Sequence, residues 1–224
     1  MGELYVVATP IGNLKDITLR ALEVLKEVDY ILAEDTRRTK ILLDFYHIKT
    51  PLISYFQHSK KRKTELILNF LKEGKKLALV SEGGTPGILD PGGELIKEIL
   101  EKLSPGVKIV PVPGPCALTT ALSVAGFSVH KFVFFGFLPK KKRRKKILRE
   151  IVDSHYPVLF YESPYRILKT LKEIKEIVKG DINLILFKEL TKKFETIYRG
   201  RINEIIEQIK KDKIKGEFVV LLYH

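Results

Sequence analysis

Short apolar, β-rich runs alternate with helical patterns along nearly the whole chain, and this rhythm restricts the fold more than any other feature. Leu4–Ala8, Tyr30–Ala33, Leu52–Ser54, Leu77–Val80 and Lys108–Val112 read as strands. Beyond Pro113 the spacing continues through Phe132–Gly136, Val158–Tyr161, Asn183–Phe187, Thr196–Tyr198 and Phe218–Leu222. Strands that are apolar without interruption, with helices between them, are covered on both faces. The pattern therefore predicts an α/β protein with largely parallel or mixed sheets. Ten strands in 224 residues suit two sheets better than one. "VPVPGPCA", residues 110–117, interrupts the rhythm with three prolines. It marks the expected hinge between an N-terminal α/β domain, 1–112, and a C-terminal one, 113–224.

Several function classes fall away on composition. No apolar stretch approaches the ~18 residues of a membrane span, so no membrane partner is expected. Met1-Gly2-Glu3-Leu4-Tyr5 lacks the basic region and cleavage site of a secretory signal. The single cysteine, Cys116, excludes an intrachain disulfide and fits a reducing, cytoplasmic setting. The five histidines show no paired spacing, so no metal site is expected. The net charge of +13 instead favours a polyanionic partner. Its densest block is Lys140-Lys141-Lys142-Arg143-Arg144-Lys145-Lys146, followed by Ile147, Leu148 and Ile151 at helical spacing. That pattern reads as a basic loop running into a helix, suited to RNA phosphates. A second run, Lys60 to Lys63, extends the track; Tyr55 and Phe56 beside it either stack a base or form a partly buried pair.

In open α/β sheets ligands bind beyond the carboxyl ends of the strands. The segment after Leu77–Val80 is "SEGGTPGILDPGG", residues 81–93, with five glycines and two prolines. Ordinary connections in such units need only about 2–6 residues. No G-x-G-x-x-G opens the first helix and no G-x-x-x-x-G-K-[ST] occurs, which counts against NAD-type and nucleoside-triphosphate chemistry. Two readings stay open: a loop whose backbone meets a nucleoside, or a rigid turn capping the next helix.

"TPIGNLKDIT", "AEDTRRT", "SEGGTPGILDPG", "PGPCA", "FFGFLP", "YESPYR", "KELTK" and "GEFVVLL" occur in this order from Thr9 to Leu222. Together these blocks resemble the tetrapyrrole methylase superfamily, which uses S-adenosylmethionine. Within it they are most similar to the branch that methylates a cytidine 2′-hydroxyl of small-subunit (16S) ribosomal RNA. The resemblance implies two α/β domains with the cofactor in the cleft between them, a homodimer, and no metal. It also implies the small ribosomal subunit or its RNA as partner. By family position the cofactor would meet Pro10, Glu82, Gly84, Thr85, Pro86 and Ile88, the Cys116–Ala117 turn, and Tyr161 and Leu190. Glu82 stands where Asp is usual and Cys116 where Ser is frequent; both keep the chemical type. Longer members carry a C-terminal extension beyond the position of His224.

Methyl transfer to a ribose hydroxyl is an in-line displacement by a weak nucleophile, so its proton must be removed or its oxyanion stabilised. Glu34, Asp35 and Glu189 follow predicted strands and are the candidate bases, with Lys188 an electrostatic aid. Arg37 and Arg166 are candidate phosphate clamps. Plainer roles compete: Glu34-Asp35-Thr36 as a helix cap, and Lys188-Glu189 as a surface ion pair. Two other functions share this pattern, a methylase of tetrapyrrole intermediates and a non-catalytic RNA-binding assembly factor.

Overall fold

Leu77-Ala78-Leu79-Val80 shows why the first-half strands are apolar throughout. Successive side chains of a strand point to opposite faces. Leu77 and Leu79 enter one buried cluster, with Ile67, Leu71, Leu95 and Ile99, while Ala78 and Val80 enter another, with Ala21, Leu25, Leu42 and Leu43. Both faces of the sheet are thus covered by helices, and neither tolerates a polar residue. The structure is a computed structural model that describes residues 1–55, 61–178 and 180–223, and for Lys61 the backbone alone.

The chain forms two compact units, Met1–Cys116 and Ala117–His224. The first contains β1 (Glu3–Val7), a 3₁₀ turn (Leu14–Asp16), α1 (Leu19–Glu27), β2 (Tyr30–Ala33), α2 (Thr36–Phe45), β3 (Leu52–Ser54), α3 (Lys61–Lys72), β4 (Lys76–Val80), α4 (Gly92–Leu103) and β5 (Lys108–Val112). Its five strands lie in the order β3-β2-β4-β1-β5, every neighbouring pair parallel. All five carboxyl ends therefore share one edge. Two of these helices start where the sequence supplies a cap: the Thr18 side chain accepts from Ala21 N–H at α1, and Asp35 accepts from Arg37 N–H at α2.

The second unit contains α5 (Ala117–Ser123), β6 (Val133–Phe137), α6 (Arg144–Val152), β7 (Val158–Glu162), α7 (Ile167–Ile177), β8 (Asn183–Lys188), β9 (Thr196–Arg201), α8 (Ile202–Lys211) and β10 (Phe218–Tyr223). Its sheet is mixed, in the order β6-β7-β10-β8-β9, with only β6 and β7 parallel. The expected helix between β8 and β9 is absent. A parallel crossover needs about a dozen residues or more, and the Glu189–Glu195 turn is too short, so β9 runs back antiparallel. One sheet face is packed by α6, α7 and α8 through Leu148, Ile151, Leu171, Ile174, Ile205 and Ile209.

A buried charge network ties β7 to α6 and α7. Glu162 is 1% exposed and Arg144 7%. Glu162 accepts from Thr170 Oγ1 (2.7 Å) and Ser163 N–H (2.8 Å), and pairs with Arg166 Nη2 at 2.7 Å. Arg144 donates to Thr170 Oγ1 (2.7 Å), to Glu173 (2.8 Å) and to the Pro139 carbonyl (3.1 Å). A buried charge stripped of its partner costs about 3–5 kcal/mol. Arg144→Ala is therefore expected to destabilise the protein by about 3 kcal/mol in urea unfolding, and a loss below about 1 kcal/mol would refute the network's role.

Candidate functional site

The loops leaving β1, β4 and β5 are stitched together at the carboxyl edge of the first sheet. Thr9 and Gly84 exchange both backbone hydrogen bonds at 2.9 Å. Thr85 Oγ1 donates to the Pro115 carbonyl at 3.1 Å. Gly84 has φ +86°, and a Cβ there would come within 3.3 Å of Ile11; a Cβ at Gly83 would come within 3.1 Å of the Pro10 carbonyl. Close approach of two backbones, not flexibility, is what these glycines provide. Further along, the Asp90 carboxylate accepts from Gly87 N–H (2.9 Å) and Gly92 N–H (2.8 Å), fixing the entry to α4. The loop is thus internally rigid, and it still presents Ile88 and Leu89 to solvent.

Beside it opens a small, solvent-open pocket lined by apolar Pro10, Leu14 and Leu42 and by polar Thr9, Arg38 and Glu82. Arg38 Nη1 lies 2.5 Å from Glu82 Oε2. Thr9 is buried, yet its Oγ1 has no hydrogen-bond partner among the described residues. An unpaired buried hydroxyl costs about 1–3 kcal/mol, so a ligand that pairs with it gains an interaction the protein leaves open. Among the proposed cofactor contacts, Pro10, Glu82, Gly84 and Thr85 come together here, with Pro86 and Ile88 further along the same loop. Arg38 was missed from sequence. Its only signal is register: Ala33 pairs with Val80, which brings the start of α2 beside the residues after β4.

The four candidate catalytic groups sit in unlike environments. Glu34 is half-buried and makes no hydrogen bond or ion pair among the described residues. Burial, followed by the like charges of Glu82 and Asp90, raises its pKa above the ordinary carboxylate value. Asp35 is the opposite case: hydrogen bonds from the Arg37 side chain and backbone draw it down to about 2, in a capping role. In the second unit burial pushes the Glu189 carboxyl up, but Lys192 Nζ (2.8 Å) and Glu217 N–H (2.9 Å) outweigh it and leave it lowered. Lys188 is buried and donates to Asp212 and to the Lys213 carbonyl. Lys188 and Glu189 therefore each have a different partner and do not pair with one another.

The remaining second-unit candidates separate similarly. Glu189 and Thr191 have φ of +54° and +64°, flanking buried Leu190, and the buried Thr191 Oγ1 is a second hydroxyl without a partner. A Cβ at Gly216 would strike the Glu189 carboxyl group at 2.2 Å, so that glycine is needed for this turn. Tyr161 is half-buried between the rings of Phe134 and Phe137. Cys116 is half-exposed and Ala117 opens α5. Lys140, Lys141, Lys142, Arg143, Lys145 and Lys146 are exposed. Arg144 is not; it belongs to the buried network. Arg166 bonds to the Leu138 carbonyl (2.9 Å) and Glu162, whereas the Arg37 side chain is 90% exposed. Tyr55 lies in the core and is unavailable for stacking, and Lys63 is tied to the Ser54 carbonyl at 2.9 Å. Phe56, Lys60 and the Lys61 side chain lie outside the described residues. Among the described residues no cluster of His, Cys, Asp or Glu is arranged to hold a metal ion, and no helix is long and apolar enough to cross a membrane.

The family model of tetrapyrrole (corrin/porphyrin) methylases matches residues 3–206. The chain belongs to this family. It is 47% identical over 222 residues to the ribosomal RNA small subunit methyltransferase I of Thermotoga maritima, covering 99% of this chain and 98% of that protein. The protein of the same name from Bacillus subtilis is 45% identical, covering 99% of this chain and 75% of its own length. Among solved structures, the methyltransferase CobJ superposes with TM-score 0.72 at 19% identity, over 100% of this chain and 95% of that one. A uroporphyrin-III C-methyltransferase from Thermus thermophilus, complexed with S-adenosylhomocysteine, gives TM-score 0.67 at 18% identity, over 98% and 97%. At such identity these two share the fold of this family member.

The carboxylate environment is testable directly. Glu82→Gln removes a like charge facing Glu34 and is expected to lower the Glu34 midpoint in a carbon-13 NMR titration; an unchanged midpoint would refute the coupling.

Proposed function

We propose that this family member is an S-adenosylmethionine-dependent methyltransferase that modifies a cytidine 2′-hydroxyl of small-subunit ribosomal RNA, working in the cytoplasm as a homodimer. The observation that carries this reading is the end-to-end similarity, at 47% identity, to a protein named for methylating that RNA. The exposed cations at 140–143 supply the electrostatics such a substrate requires.

Bound S-adenosylmethionine would supply a methyl group already activated by a sulfonium. The residues present suit such a group: glycines with no room for a Cβ at the strand-end turn, the apolar Pro10 and Ile88, and the unpaired Thr9 hydroxyl. What remains for the chain is to orient the ribose hydroxyl and take its proton. Glu34 is the base. Burial and the like charges of Glu82 and Asp90 raise its pKa above the ordinary carboxylate value, which strengthens it as a proton acceptor, and no cation or donor among the described residues competes for its oxygens. Asp35 and Glu189 are stabilised as anions, which weakens them as proton acceptors, and Lys188 is committed to Asp212. Asp35 instead caps α2, and Glu189 holds the turn after β8 through Lys192 and Glu217.

Glu34 also carries a linkage signature. A carboxyl whose folded pKa is raised binds its proton more tightly folded than unfolded. It therefore contributes stability below the unfolded value, which is lost as the pH rises through the folded one. Glu34→Gln is thus expected to leave the fold as stable or more stable at pH 7. It should still lower transfer of labelled methyl groups to unmodified small subunits by about 10²–10⁴-fold. Label recovered on a base, or in a porphyrinoid, would overturn the assignment of substrate; wild-type rates in Glu34→Gln would overturn the base.

A further inference from the structure

The end of β6 is built in an unusual way. Its register against β7 shifts between Phe134 and Phe137, with Gly136 at φ +61° inside the irregularity. Such a bulge costs ladder hydrogen bonds and commonly serves to re-aim a side chain. Here the re-aimed side chain is Phe137, a large aromatic left 59% exposed, its ring edge-on to Tyr161 at 5.5 Å. Directly after it come Lys140, Lys141, Lys142 and Arg143, all exposed, with Arg143 in the left-handed region at φ +64°.

This turn is held firmly from beneath. Arg166 donates to the Leu138 carbonyl and Arg144 to the Pro139 carbonyl, and both guanidinium groups are anchored by Glu162 and its partners. Two arginines that resemble RNA contacts in the sequence thus fix the backbone on which the real cations stand. An exposed ring beside four cations that make no ion pair among the described residues adds little to the fold: the ring buries little area and the charges repel. The arrangement makes sense when a chain of phosphates passes the cations while a base covers the ring.

We propose that Phe137 and Lys140–Arg143 form a platform for single-stranded RNA, with one base stacked on the Phe137 ring and neighbouring phosphates on the four cations. The proposal rests on the RNA reading above and adds to it where the strand runs and how it is gripped. A duplex, whose bases are already stacked, has nothing to offer the ring.

The test is binding of a labelled single-stranded RNA of about ten nucleotides to the full chain, by fluorescence anisotropy across a salt series. S-adenosylhomocysteine affinity is measured in parallel by calorimetry. Phe137→Leu, which keeps apolar bulk but removes the π face, is expected to weaken RNA binding about tenfold with an unchanged salt slope. Replacing Lys140, Lys141, Lys142 and Arg143 by Ser is expected to flatten the slope of log K against log salt by about 3. Both variants should bind S-adenosylhomocysteine like the parent. Unchanged RNA affinity in Phe137→Leu, an equal loss of S-adenosylhomocysteine affinity, or a duplex bound as well as the single strand would overturn the platform. Methyl transfer to small subunits separates the two claims. Label transfer by the parent together with an indifferent Phe137→Leu sinks the platform alone. Absent transfer together with Phe137-dependent binding supports the platform and sinks the assigned reaction.

Discussion

The paired backbone hydrogen bonds between Thr9 and Gly84 are the contact on which the first-unit site depends. A parallel sheet delivers its strand ends to one edge but leaves the departing loops free to diverge. Drawing them together requires backbones to meet without side chains between them. Gly83 and Gly84 satisfy that steric demand, and Thr85 extends the stitch to Pro115. Beside this lock the buried Thr9 hydroxyl has no hydrogen-bond partner among the described residues. Of the two readings of the glycine-rich segment, the rigid turn is what these hydrogen bonds show.

The protein handles its carboxylates in two contrasting ways. Glu162 is almost completely buried, yet two donors and an arginine satisfy it, so its charge is locked into architecture. Glu34 is less buried and has no such company; its neighbours Glu82 and Asp90 carry the same sign. Arg38 neutralises part of that field through Glu82 and does not contact Glu34. Surrounded by like charge and lacking donors, Glu34 holds a proton more readily than an exposed glutamate. A network supplies stability by removing such ambiguity, whereas acid–base chemistry needs a group that retains it.

Much of the fold was legible because burial on both faces leaves an unmistakable mark. Tyr30–Ala33, Leu52–Ser54 and Lys108–Val112 are strands with the boundaries the apolar runs indicated. The exception was the β8–β9 connection, where alternation suggested a helix that seven residues have no room to form. The site was legible in outline only. Loops after strands were found by position, and the rigid strand-end turn by its glycines. Partners were not: nothing in "RRT" tells that Arg37 faces solvent while Arg38 reaches Glu82, because that distinction is made by β2–β4 register. Nor does a run of seven cations reveal that the fifth is buried. Helical periodicity from Ile147 and Leu148 places Arg144 on the inward face, but its role depends on Glu162 and Glu173, respectively 18 and 29 residues away.

That one inward arginine changes how the charge of the chain should be understood. A net charge of +13 spread over mobile surface side chains attracts any polyanion weakly and imposes no path on it. Tethering the Pro139 and Leu138 carbonyls from below fixes the backbone that carries part of this charge next to the Phe137 ring. Phosphate attraction sets how strongly a strand is held and fades as salt rises; stacking is insensitive to salt and requires an unpaired base. A surface combining both discriminates single strands from duplexes without reading sequence. Choice of the nucleotide to be modified must then come from elsewhere.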